Sequence, residues 1–137
     1  LCLPLFGGMT LALACYVILP TGLNLRPYYV PGSDIFARAV RFLYRTDTPI
    51  NVCPSIHVFN SVTLLLAYYR SRLFERPRLR WMRPAAAVLC GSIVCSTVLL
   101  KQHSCIDVVL GILLALALDA AFTAASEYSE LLQTRRV

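Results

Sequence analysis

Two histidines and one aspartate carry the residue types and spacing that could do chemistry. His103 and Asp107 are four apart in Ser96–Asp107, a polar interruption of a long apolar run. On a helix they share a face, so the carboxylate can hold the imidazole in one tautomer and orientation. The other histidine, His57, lies in Asn51-Val52-Cys53-Pro54-Ser55-Ile56-His57, again where a polar loop enters an apolar run. Both histidines at such borders point to one site. An imidazole held by a carboxylate can act as a base or, with its free nitrogen facing phosphorus, as a nucleophile. A second imidazole, with an ordinary pKa of about 6.5, can protonate the leaving oxygen. Cations and helix N-terminal amides would neutralise the phosphate oxygens, and Arg26, Lys101 and the turn at Ser55 are candidates. The set suits phosphoryl transfer and requires no metal or cofactor.

Composition decides what kind of chain must position these groups. Of the 137 residues, 58% are hydrophobic and 15% charged, against about 25% charged in an ordinary soluble domain. With a mean hydropathy of +0.65, the expectation is a single membrane-embedded all-α bundle over residues 1–137, with four spans and a short interfacial helix. The chain starts with Leu1 inside an apolar stretch, so further helices are expected upstream.

The first span is expected within Leu1–Leu25, ending near Pro20; Arg26-Pro27 marks the exit into a loop. Ser33–Arg45 reads as an amphipathic helix in the headgroup plane, with Ser33 as N-cap and Arg38, Arg41 and Arg45 opposite Ile35, Phe36, Ala39, Phe42 and Leu43. The second span should run from Ser55 to Tyr69, with His57 in its first turn. Pro84–Leu100 and Ser104–Ala125 are the third and fourth spans. The fourth has small residues four apart, Gly111 with Ala115 and then Ala117, Ala121 and Ala125, which would let helices approach closely. Asp119 lies within it without an evident role.

Between the second and third spans, residues 70–83 hold six arginines and one glutamate. The positive-inside rule makes this segment cytoplasmic, in preference to a nucleic-acid patch. His57, His103, Asp107 and Arg26 then all emerge on the outer face, and Arg135 and Arg136 return to the cytoplasm. Arg38, Arg41 and Arg45 count against this orientation, as charge on the outer side.

At this point the chain resembles the type 2 phosphatidic acid phosphatase superfamily, which includes lipid phosphate phosphatases and transferases of the inositol phosphorylceramide synthase type. Its three motifs are Lys, six residues, Arg-Pro; then Pro-Ser-Gly-His; then Ser-Arg, five residues, His, three residues, Asp. Pro54-Ser55-Ile56-His57 matches the second, with isoleucine for glycine. Ser96-Thr97, five residues, His103, three residues, Asp107 matches the third, with Thr97 for arginine. The first survives as Arg26-Pro27, with Leu19 at the lysine position. The resemblance implies that His103 attacks phosphorus, Asp107 orients and charge-stabilises it, and His57 protonates the leaving group. Arg26 and Ser55 would hold phosphate oxygens, with Lys101 and Ser96 as helpers.

Three functions stay open: an enzyme hydrolysing a lipid phosphate or diphosphate, a transferase of phospho-head groups between lipids, and a membrane protein with a decayed site. Six cysteines add two structural alternatives, a zinc site from Cys53, His57 and His103 and a Cys53–Cys105 disulfide.

Overall fold

The computed structural model describes residues 2–134. The expected start at Leu1 and the cytoplasmic return of Arg135 and Arg136 lie outside the described residues. Five helices follow in order: α1 (Cys2–Ile18), α2 (Ile35–Thr46), α3 (Ile56–Arg70), α4 (Met82–Leu99) and α5 (Cys105–Thr134). No strand occurs among the described residues; one isolated bridge joins Gly22 to Ile50.

The boundaries depart from the sequence reading where local chemistry decides them. Asp34, not Ser33, caps α2: its side chain accepts the Ala37 amide at 3.1 Å, satisfying one of the orphan donors of the first turn. α1 stops at Ile18, two residues before Pro20, close to the expected end. α5 continues well past Ala125, because nothing in Ala125–Thr134 breaks a helix. The arginine-rich segment forms a short 3-10 turn over Arg72–Glu75, and Arg83 ties it back by donating to the carbonyls of Tyr69 and Ser71.

Two helices, α4 and α5, are long and apolar enough to cross a bilayer. α1 is a shorter apolar helix. α3 has 15 residues, roughly 22 Å at the helical rise, short of a hydrocarbon core of about 30 Å. Of the four expected spans, two, α4 and α5, correspond to helices of spanning length, and the helices at the other two positions are shorter.

α3 is the hub, packed against α1, α4 and α5. Phe59, Val58, Ala12 and Ala115 are essentially inaccessible at that junction. A side chain on Gly8 would come within 2.0 Å of the Phe59 ring, and one on Gly111 within 2.8 Å of the Ser55 carbonyl. The small-residue spacing on α5 therefore divides: Gly111 and Ala115 are buried, whereas Ala117, Ala121 and Ala125 are exposed. Asp119 gains a role here, as the partner of Arg70 at 2.6 Å, which joins the end of α3 to α5.

Candidate active site

His103 lies in the short connection from α4 to α5. After Leu99 the chain folds back, the amides of Gln102 and His103 both donating to the Thr97 carbonyl at 2.9 and 3.2 Å. Lys101 makes the reversal at φ 52°, in the left-handed region. That turn throws His103 inward, to 7% exposure, and Lys101 outward.

Opposite stands the loop before α3. Thr21 clamps it: its hydroxyl accepts the amides of Val52 and Cys53, each at 3.1 Å, and its carbonyl accepts the Asn51 amide at 2.5 Å. The Tyr16 hydroxyl donates to the Pro54 carbonyl at 2.5 Å, and the Ser55 amide donates to the Asp107 carbonyl at 3.1 Å. Ser55 then caps α3 by accepting the Val58 amide, which starts the helix one residue before His57.

These supports bring the two imidazoles together. His103 Nδ1 is 2.9 Å from the Val52 carbonyl. A carbonyl can only accept, so the proton sits on Nδ1 and Nε2 keeps its lone pair. That Nε2 lies 3.4 Å from His57 Nδ1. Burial first, and the charge of nearby His57 second, hold the His103 pKa below the ordinary imidazole value. The buried ring is therefore kept in the neutral form that a nucleophile needs.

Asp107 does something different from gripping the imidazole. It stands 4.0 Å from His103 Nδ1, too far for a hydrogen bond. Its carboxylate accepts the Ser104 amide at 2.6 Å, while its own amide donates to Ser104 Oγ at 3.3 Å. That reciprocal pair is a capping box at the start of α5. Burial, and then the nearby Asp107 carboxylate, push the Cys53 thiol pKa up. Asp107 thus supplies charge beside His103, and the Val52 carbonyl supplies the orientation.

A cleft of about 150 Å³ opens over the histidines and is lined by Tyr16, Asp47, Thr48, Ile50, Asn51, Val52, Ile56, His57, Gln102 and His103. Among the described residues, its lining includes no lysine or arginine. Arg26 stands behind it, in an ion pair with Asp47 at 2.6 Å, a further bond to the Asp47 carbonyl and a place over the Tyr44 ring at 5.0 Å. Gln102 donates to the same Asp47 carboxylate at 3.0 Å.

His57 and His103 therefore share the cleft, Asp107 borders it from behind, and Arg26 reaches it through Asp47. Ser55 is fully buried as the α3 cap. Ser96 turns its hydroxyl back to the Ile93 carbonyl, and neither Ser96 nor Lys101 lines the cleft. Sequence reasoning missed Asp47, Gln102, Tyr16, Thr21 and the Val52 carbonyl. Gln102 adjoins His103, but no spacing rule singles out the others.

Among the described residues no three histidine, cysteine, aspartate or glutamate side chains converge as a metal-ligand set. Cys53 and Cys105, the pair of the disulfide alternative, are both free.

A family model described as the PAP2 superfamily matches residues 1–130. No curated protein and no solved structure matches the chain.

Proposed function

Because the chain belongs to the PAP2 superfamily, whose members are generally phosphatases or phosphotransferases, we propose that it hydrolyses a lipid phosphate monoester or diphosphate through a phosphohistidine on His103. The observation that carries the reading is the pairing of a His103 Nε2 lone pair, fixed by the Val52 carbonyl, with His57 Nδ1 at 3.4 Å.

In the first step Nε2 attacks phosphorus and the P–O bond to the leaving group breaks. Protonated His57 gives its proton to the departing oxygen. In the second step neutral His57 takes a proton from water, the hydroxide attacks phosphorus, and the P–N bond breaks to release phosphate. Asp107, 4.0 Å from Nδ1, offsets the positive charge that develops on the His103 ring. Arg26 meets the phosphate oxygens once they displace the Asp47 carboxylate from it, and Ser55 acts by holding the first turn of α3. Lys101 and Ser96 would serve at the cleft margin or not at all.

α1, α3, α4 and α5 are the four membrane passes of this reading, with the arginine-rich 70–83 segment in the cytoplasm. The cleft then faces the extracytoplasmic side.

Transfer of a phospho-head group between lipids is the second reading. What favours it is the cleft lining, where the Asp47 carboxylate stands and no lysine or arginine does: a singly charged phosphodiester meets less repulsion there than a doubly charged monoester.

Phosphate release from a panel of lipid phosphates and diphosphates, by the full protein in detergent with chelator, tests the proposal. Release is expected, and a His103→Ala variant should lose it. Absence of release, with label moving from a phosphodiester lipid to an added acceptor lipid, would replace hydrolysis by transfer. Absence of both would leave a site without phosphoryl chemistry.

A further inference from the structure

α2 has three distinct sides. Ala37 is buried and Tyr44 reaches inward, its hydroxyl donating to the Leu100 carbonyl at 3.0 Å. Arg38, Arg41 and Arg45, at helical positions i, i+3 and i+7, share a second side. Ile35, Phe36 and Phe42 lie on a third and are 75%, 77% and 71% exposed.

Arg41 is committed to the fold, donating to the carbonyls of Val30 and Gly32 at 3.0 and 2.7 Å. Arg38 and Arg45 are exposed and border, with Arg41 and Phe42, a depression of about 250 Å³. The Tyr44–Leu100 bond fixes where this helix lies. Leu99 ends α4, a helix long enough to cross a bilayer, so α2 sits at the level of that helix's end.

We propose that α2 binds the anionic head groups of membrane phospholipids, Arg38 and Arg45 meeting their phosphates while Ile35, Phe36 and Phe42 enter the boundary of the hydrocarbon. Charge complementarity selects an anionic partner. The exposed apolar side beside the arginines selects a lipid surface, because a bilayer offers anionic phosphates and, a few ångströms deeper, an apolar medium. The same placement accounts for the arginines on the outer side of the membrane: Arg38 and Arg45 face lipid phosphates, and Arg41 is held by the Val30 and Gly32 carbonyls. Since Asp47 is both the cap that follows α2 and a wall of the cleft, docking of α2 holds that wall against the membrane surface. This inference rests on the reading that α4 and α5 cross a bilayer.

The test uses the full chain with Trp81→Phe, so that one introduced tryptophan reports its own surroundings. Phe36→Trp reports α2 and Leu113→Trp, an exposed position on α5, reports the span. Each is placed in nanodiscs of brominated phosphatidylcholine, with or without phosphatidylglycerol. Quenching of both tryptophans is expected, that of Phe36→Trp rising with phosphatidylglycerol and falling with salt. Adding Arg38→Gln and Arg45→Gln should abolish the phosphatidylglycerol dependence, since each arginine near an anionic surface contributes about fivefold to the equilibrium. Quenching of Leu113→Trp without Phe36→Trp would overturn the proposal and leave the membrane reading intact. Quenching of neither would overturn the membrane reading itself. A phosphatidylglycerol dependence that survives both glutamines would overturn the assignment to Arg38 and Arg45.

Discussion

His103 can attack phosphorus through Nε2 only while Nδ1 holds the proton, and the group that ensures this is a main-chain carbonyl, that of Val52. No sequence pattern marks a carbonyl, which is why the His103–Asp107 spacing was legible and the true orienting contact was not. Asp107 therefore separates into two roles. Asp107→Asn keeps an acceptor for the Ser104 amide and removes the charge, so it should lower kcat with little change in Tm. Asp107→Ala removes the cap too and should cost a further 0.5–2 kcal/mol or so of stability. The pH profile follows from burial, which disfavours the protonated imidazole. His103 stays neutral below its ordinary pKa of about 6.5, so the acid limb it contributes to kcat/KM should lie below that pH. A limb above it would contradict the buried, neutral ring. His57→Ala should reduce kcat by about 10²–10⁴ on a lipid phosphate; on an aryl phosphate, whose leaving group needs no proton, it should spare the initial burst of phenol and slow the turnover that follows, because hydrolysis of the phosphohistidine still needs the base. Asp47 was illegible because an isolated loop aspartate has no periodic signature. Asp47→Asn should lower KM for monoesters by freeing Arg26 and removing a repelling charge from the cleft.

The elements were legible as apolar runs bounded by Pro, Gly and charge, and their ends moved where capping chemistry chose between neighbours, as at Asp34. Their packing was half legible. The small-residue spacing on α5 is real as a pattern, but it is used for close approach at Gly111 and Ala115, where α3 crosses, and not at Ala117, Ala121 and Ala125, where the side chains are exposed. Periodicity gives a face and does not say what lies against it. The Gly111 contact matters for the site because it sets α3, and so His57, against the helix that follows His103. Gly111→Ala places a methyl group 2.8 Å from the Ser55 carbonyl. It should cost on the order of 1–3 kcal/mol and reduce kcat more than it raises KM, read by thermal unfolding beside steady-state kinetics. Unchanged kinetics would show that the α3–α5 spacing does not govern the two imidazoles.

At the scale of the whole molecule, composition led to the expectation of a membrane protein, and the two helices long and apolar enough to cross a bilayer are compatible with it. Four full-length spans were not legible with accurate lengths, because α3 gives up apolar positions to Asn60, Ser61 and Thr63 and stops at Arg70, where the Asp119 ion pair holds it. Charge asymmetry sets the orientation of the proposal. Trypsin added outside sealed, right-side-out vesicles should spare the 70–83 segment and cut it once detergent opens them. Cleavage there in intact vesicles would put the histidine cleft on the cytoplasmic face.

The central claim is that phosphorus passes through a bond to His103. Its most direct measurement is a rapid alkaline quench of the full protein turning over a ³²P-labelled lipid phosphate, followed by peptide mapping, since phosphohistidine survives alkali. The account predicts label on the peptide containing His103 and none in a His103→Ala variant. Turnover that releases phosphate with no label on that peptide, or with label retained in the variant, would contradict it.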